Sequence, residues 1–171
     1  TTLTWSGDMS WDDPSGAGEP DEVPLLGGLI TPGVVRVGDT VRRPVGPHSE
    51  FVRQLLSHLE AVGFEDAPRY LGIDAKGREC LSYIEGVVPD NIDAGFTDDI
   101  LSDAADQLRR LHEATAGSQL AGSEGVVCHN DISPLNTVFV DGRPAAVIAT
   151  NFAGLERVKR AGDGYDASSH P

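Results

Sequence analysis

From Ser49 to Val62 the apolar residues Phe51, Val52, Leu55, Leu56, Leu59 and Val62 recur every three or four positions. That spacing stacks them on one face of an α-helix, with Ser49 placed to cap it and Gly63 to stop it. A second helical face runs through Ile100, Leu101, Ala104, Ala105, Leu108 and Leu111. Thr97 precedes it as a cap, Asp98 and Asp99 suit the positive end of its dipole, and Gly117 ends it. Between and before these helices the pattern changes. Gly33 to Val37 and Thr40 to Arg43 are short β-rich runs around Gly38-Asp39, which predicts a hairpin. Arg42 and Arg43 then face opposite sides of its second strand, and Pro44, Gly46 and Pro47 close it. Arg69 to Asp74 and Glu79 to Ile84 predict another hairpin around Ala75-Lys76-Gly77-Arg78. Asn91 to Gly95 and Gln119 to Gly125 read as loops. The predicted class is α+β.

Composition narrows the choice of partners. A chain of 171 residues can bury a core in one or two small lobes. Its formal net charge of −14 argues against nucleic acid and anionic membrane, which call for basic patches. No apolar run reaches transmembrane length and no signal peptide is visible, so a cytoplasmic location is expected. Cys80 and Cys128 lie far apart without metal-ligand spacing and read as reduced, partly buried thiols. Cys128 adjoins His129, which raises a nucleophile reading beside the packed-thiol one. Thr1 is read as the residue left after removal of an initiator methionine, and the protein as naturally short. Low Lys with high Ala, Gly, Asp and Arg suits a GC-rich bacterial source. The first 24 residues carry no Lys or Arg and read as an acidic leader. Yet they hold Trp5 and Trp11, an expense that predicts docking onto the chain's own cleft or a neighbouring subunit.

The chemistry concentrates in Val126-Val127-Cys128-His129-Asn130-Asp131-Ile132-Ser133-Pro134-Leu135-Asn136-Thr137-Val138-Phe139. Asp131 is placed to take a proton from a hydroxyl, and Asn136, five residues on, to ligate a metal. Phosphoryl transfer needs base and metal to approach one phosphate from different sides. The stretch resembles the HxDxxxxN loop of the aminoglycoside phosphotransferase and choline kinase family. The likeness continues through Asp141 to Ile148, similar to the family's hairpin before its second metal site. It breaks at Ile148-Ala149-Thr150-Asn151-Phe152-Ala153-Gly154, where the family reads Ile-Asp-x-Asp-Phe-Ala-Gly and both acidic positions here are uncharged.

The resemblance covers about Leu25 to Gly154 and implies a protein-kinase-like fold: an antiparallel-sheet small lobe and a truncated helical large lobe. It implies an N-terminal segment over 1–24, the small lobe over 25–86, the large lobe over 87–154 and a tail over 155–171. Glu85-Gly86 resembles the hinge, Leu108 to His112 the helix before the catalytic segment, and Gly27-Gly28 a remnant of the phosphate-covering turn.

Three functions follow from that resemblance. In ordinary phosphotransfer, Arg42 or Arg43 replaces the small-lobe lysine, and Mg-ATP is the cofactor. Magnesium wants carboxylate oxygen, however, and losing its ligands costs roughly 4 kcal/mol or more of barrier. A second reading is a silent pseudokinase that binds a ligand or partner, its loop residues kept for hydrogen bonding. The third, preferred here, is a non-kinase biosynthetic enzyme for cyclisation, elimination or isomerisation. Its expected catalytic residues are Asp131 and His129, and Asn130, Asn136, Asn151, Arg42 and Arg43 bind the small-molecule ligand. No metal and no cofactor are expected on that reading. Apolar surface left by absent closing helices predicts a homodimer.

Overall fold

The computed structural model describes residues 21–25, 32–90, 95–130 and 132–148. The proposed tryptophan anchors Trp5 and Trp11, the Gly27-Gly28 turn, and everything from Ala149 onward, including the tail, lie outside these residues.

A five-stranded antiparallel sheet has the order β1-β2-β3-β5-β4, and a separate hairpin pairs β6 with β7. The first three strands are β1 (Val23–Pro24), β2 (Val35–Val37) and β3 (Thr40–Arg43). Val37 faces Thr40, which leaves Gly38-Asp39 as the predicted two-residue turn. Helix α1 (Ser49–Ala61) follows, and the sheet resumes with β4 (Tyr70–Ile73) and β5 (Glu79–Ser82). Asp74 makes the turn between them, its Oδ1 accepting from the Lys76 and Arg78 backbone amides at 2.9 and 2.8 Å. Helix α2 (Asp98–Thr115) leads through a 3-10 helix (Gln119–Glu124), where a loop was expected, to β6 (Thr137–Val140) and β7 (Arg143–Val147). The β6–β7 turn is Asp141-Gly142, both with positive φ (50° and 76°), the backbone that matches the twist of a two-residue hairpin.

The core joins α1, β5, α2 and the approach to the loop at 126–136. It holds Val52, Leu55, Leu56, Leu59, Leu81, Leu111, Ala121 and Val127. Four of the six apolar positions expected on α1 are buried, and Val62 is exposed because the helix ends before it. The α1 cap differs from expectation. His48 occupies the N-cap position, and the Ser49 hydroxyl turns back to accept from the Gly46 amide at 2.9 Å. On α2 the Thr97 cap is present, its Oγ1 accepting from Ile100 N at 3.4 Å. The face is rotated, though. Leu101 and Ala105 are exposed, whereas Gln107, Leu111 and Thr115 line the buried stripe at four-residue spacing. The physical reason is that α2 packs against both α1 and β7, with Thr115 bonded to Val127 and Asp103 paired with Arg143 of the hairpin.

Asp21 to Pro24, read from composition as part of the leader, include β1. Leu25 N donates to Val34 O at 3.1 Å, and Glu22 reaches the β4–β5 turn. Composition missed them because the ties come from other elements: β2, nine to thirteen positions later, and the β4–β5 turn, 54 and 56 positions later.

Gly86 is where the chain leaving the sheet meets the β6–β7 hairpin. Val87 and Phe139 exchange two backbone hydrogen bonds of 2.9 and 2.8 Å. At this crossing a Cβ on Gly86 would sit 2.5 Å from Val138 Cγ1 and 2.7 Å from Phe139 O, and the φ of 152° is one that L side chains rarely adopt. Gly86→Ala is therefore expected to cost about 1–3 kcal/mol by overpacking. Gly95→Ala, where a Cβ meets nothing within 4 Å, serves as the neutral comparison in thermal denaturation.

Candidate functional site

The loop expected to carry chemistry is held from behind by α2. The Thr115 hydroxyl donates to Leu111 O at 3.0 Å and accepts from Val127 N at 3.0 Å. Thr115 and Val127 are both fully buried. Gly117 N donates to Gly125 O at 3.0 Å, so the neck of the intervening 3-10 segment is closed. Among the described residues beyond Val127, Pro134–Asn136 form a single 3-10 turn. There the Asn136 amide donates to Ser133 O at 3.0 Å and its carbonyl accepts from Ile148 N at 2.9 Å. The Thr137 hydroxyl also donates to Ser133 O, at 2.9 Å.

These bonds bring His129 and Asn136 into one loop, both buried at 3% and 7% exposure. Asn130 is exposed with a φ of 61°, a conformation asparagine tolerates better than most residues. Asp131 and Asn151 lie outside the described residues. Burial pushes the Cys128 thiol above its ordinary pKa, so it is protonated at neutral pH and the nucleophile reading gains no support. Among the described residues there is no cluster of three or more His, Cys, Asp or Glu able to hold a metal.

The two arginines assigned to the ligand sit in the sheet. Arg43 Nε donates to Glu79 Oε2 at 2.7 Å, across the β3–β5 register pair, with Glu79 2% exposed. Arg42 donates to the Thr40 hydroxyl at 2.5 Å and pairs with Asp74 at 3.6 Å. Glu79 and Asp74 belong to the second hairpin and not to the loop. A buried ion pair of this kind is costly to break, since removing one partner leaves a desolvated charge. Thr115 and Glu79 were not anticipated as organising residues, nor Gln107 as a buried one. The available signal was a polar residue at the buried four-residue spacing of a helix, or in a central strand.

A second polar group ties the start of the sheet to the β4–β5 turn. Glu22 accepts from Arg78 and Lys76 at 2.9 and 2.8 Å, and Asp74 from Arg78 Nε at 2.8 Å. Hydrogen bonds from Arg78, then Lys76, lower the Glu22 carboxyl from its ordinary 4.5 to about 2. The backbone amide of Arg78 leads the causes that lower Asp74.

The described residues thus define an α+β protein with an antiparallel sheet, and a tied loop that lacks an identified metal centre. In comparison with known proteins, the chain is similar to the trifolitoxin immunity protein of Rhizobium leguminosarum bv. trifolii, 38% identical over 154 residues. The match takes in 80% of this chain and 58% of that protein, so the chain spans less than two thirds of the relative's length. No family model and no solved structure matches.

These findings correct the sequence reading. Membership of the aminoglycoside phosphotransferase and choline kinase family is not supported, because no family model matches and the similar protein bears an immunity name. The biosynthetic-enzyme, pseudokinase and residual-kinase functions fall with it. The physical reason lies in the motif's brevity: a few loop residues can persist for hydrogen bonding alone, without the chemistry they suggest.

Two outcomes are expected. Thr115→Val keeps the shape but leaves the buried Val127 amide without its acceptor, and is expected to cost about 1–3 kcal/mol in urea denaturation, with Thr115→Ser recovering part. For acid stability the sign follows from a depressed carboxyl. The Glu22 contribution is fully present above about pH 4.5 and is lost as pH falls through about 2. NMR titration of the Glu22 carboxyl is expected to give a midpoint near 2, returning toward 4.5 in Arg78→Ala.

Proposed function

We propose that this chain is an immunity protein that protects the cell making it from a peptide antibiotic by binding the toxin. The observation that carries this reading is the 38% identity over 154 residues with the trifolitoxin immunity protein. A match along most of the chain outweighs a motif of fourteen positions, because it reports on the scaffold as well as one loop. The reading needs no metal, nucleotide or other cofactor. It is compatible with the absence, among the described residues, of a helix long and apolar enough to cross a membrane.

For the fold, the proposal is topological only. The order of hairpin, helix and hairpin around β2–β3, α1 and β4–β5 supports a kinase-like small-lobe scaffold put to a different use.

The test is protection of a sensitive bacterium. Expressed in a trifolitoxin-sensitive strain, the chain is expected to raise the inhibitory concentration of trifolitoxin at least tenfold over the empty vector. Unchanged sensitivity in cells where the protein accumulates folded would overturn the proposal.

A further inference from the structure

The two edges of the sheet are unlike. On one side β1 is two residues long and contains Pro24, which cannot donate to a further strand. On the other side β4 (Tyr70–Ile73) pairs only with β5 among the described residues. It carries no proline and no charge within its span. Tyr70 and Gly72 are half-buried, while Leu71 and Ile73 stand 53% and 49% exposed. An uncharged open edge with aliphatic side chains is a template for another strand, and natural proteins ordinarily blunt or cover it. The register shift between Tyr70 and Gly72 adds twist, which limits the added segment to a short one.

A cavity lies at the beginning of this strand. Pro68 and Arg69, which lead into β4, line it together with Phe64 and Ala67, over a floor of Leu56 and Leu59 from α1. Its volume of about 190 Å³ is below the roughly 300–1,000 Å³ of small-molecule sites, and suits one anchoring side chain. Glu60, Glu65 and Arg69 surround the mouth. Arg69 pairs with Glu60 at 3.7 Å, and Glu65 has no ion pair among the described residues, so the mouth is net acidic.

We propose that the β4 edge is the docking surface for the peptide antibiotic, which adds to the sheet as a short extended strand. This rests on the immunity reading and names the place of contact. Side chains of an added strand alternate between the faces of the sheet. Its side chains then cover the exposed Leu71 and Ile73, and the cavity at the start of the strand takes an apolar anchor. Main-chain hydrogen bonds give affinity and the alternate pockets give selectivity. The acidic mouth, on a chain of net charge −14, favours a segment that is neutral or carries a cation beside its anchor.

Two measurements on the full chain, with trifolitoxin as the probe, decide the matter. In wild-type protein, outward-facing amides of Tyr70 to Ile73 are expected to exchange at least tenfold more slowly once trifolitoxin is added. The exposed double substitution Leu71→Lys with Ile73→Lys is expected to lose at least tenfold of protection while melting near the wild-type temperature. Leu101→Lys, on an exposed position of α2, is expected to protect like wild type. Wild-type protection with unchanged exchange at Tyr70 to Ile73, or full protection by the double variant, overturns the docking surface and leaves the immunity reading standing. Slow exchange at these amides before the peptide is added overturns it too, because the edge is then covered by this chain or a second copy. No protection by wild type overturns the immunity reading itself.

Discussion

One hydroxyl sets the relation between the second helix and everything after it. Thr115 uses both of its capacities, donating back into its own helix and accepting the Val127 amide from the next segment. Neither residue touches solvent. The Val127 amide belongs to no strand or helix, so without this acceptor a buried donor would stand unpaired. From that point the positions of His129, the 3-10 turn at Asn136 and the β6–β7 hairpin follow by short chain connections. The apolar core alone would tolerate sliding of this segment along α2. A directional bond between fully buried groups does not.

Ion pairs do for the sheet what Thr115 does for the loop. Arg42 and Arg43 are neighbours on β3 and therefore leave it on different sides. Each finds a carboxylate of the second hairpin, Asp74 and Glu79 respectively. Glu22 extends the set by joining Arg78 and Lys76 from the far end of the sheet in sequence. The two classes of pair differ in consequence. Arg43–Glu79 is buried, and its value lies in the cost of leaving either charge alone. The Glu22 cluster is open to water, so salt screens it and its contribution to stability is small.

Local patterns were legible to the extent that local forces decide them. Both helices, their glycine stops at Gly63 and Gly117, and the two hairpins with their turn residues followed from spacing and turn chemistry. What escaped was decided by distant partners. Strand β1 forms because Val34 and Arg78 lie near it in space, which no pattern around Val23 reports. The face of α2 turned because Thr115 and Gln107 are buried against other elements, so hydrophobicity gave the wrong rotation at Leu101 and Ala105. At the loop, the sequence identified a segment that the structure does tie down, while Asp131 itself lies outside the described residues. His129 and Asn136 are buried, and the Asn136 backbone holds both the turn at Ser133 and the strand end at Ile148. A loop of that kind restricts its residues whether or not a reaction occurs there.

The same distinction separates the loop from the sheet edge as places for a partner to meet this protein. In the loop, the backbone groups of Val127, Ser133 and Asn136 are already spent on internal bonds. An open strand offers unspent backbone donors and acceptors that water satisfies only until another chain arrives. Pairing there exchanges water for peptide without a large reorganisation of the fold, since β5 already fixes the register of β4. The affinity gained is modest per bond, about 0.5–1.5 kcal/mol each, so recognition must also draw on burial of Leu71, Ile73 and an anchor in the adjoining cavity. Such an arrangement discriminates by length and by the alternation of apolar side chains, which are properties of an extended peptide and not of a compact metabolite. Among the described residues, the β4 edge is a surface whose unpaired backbone groups suit an extended partner.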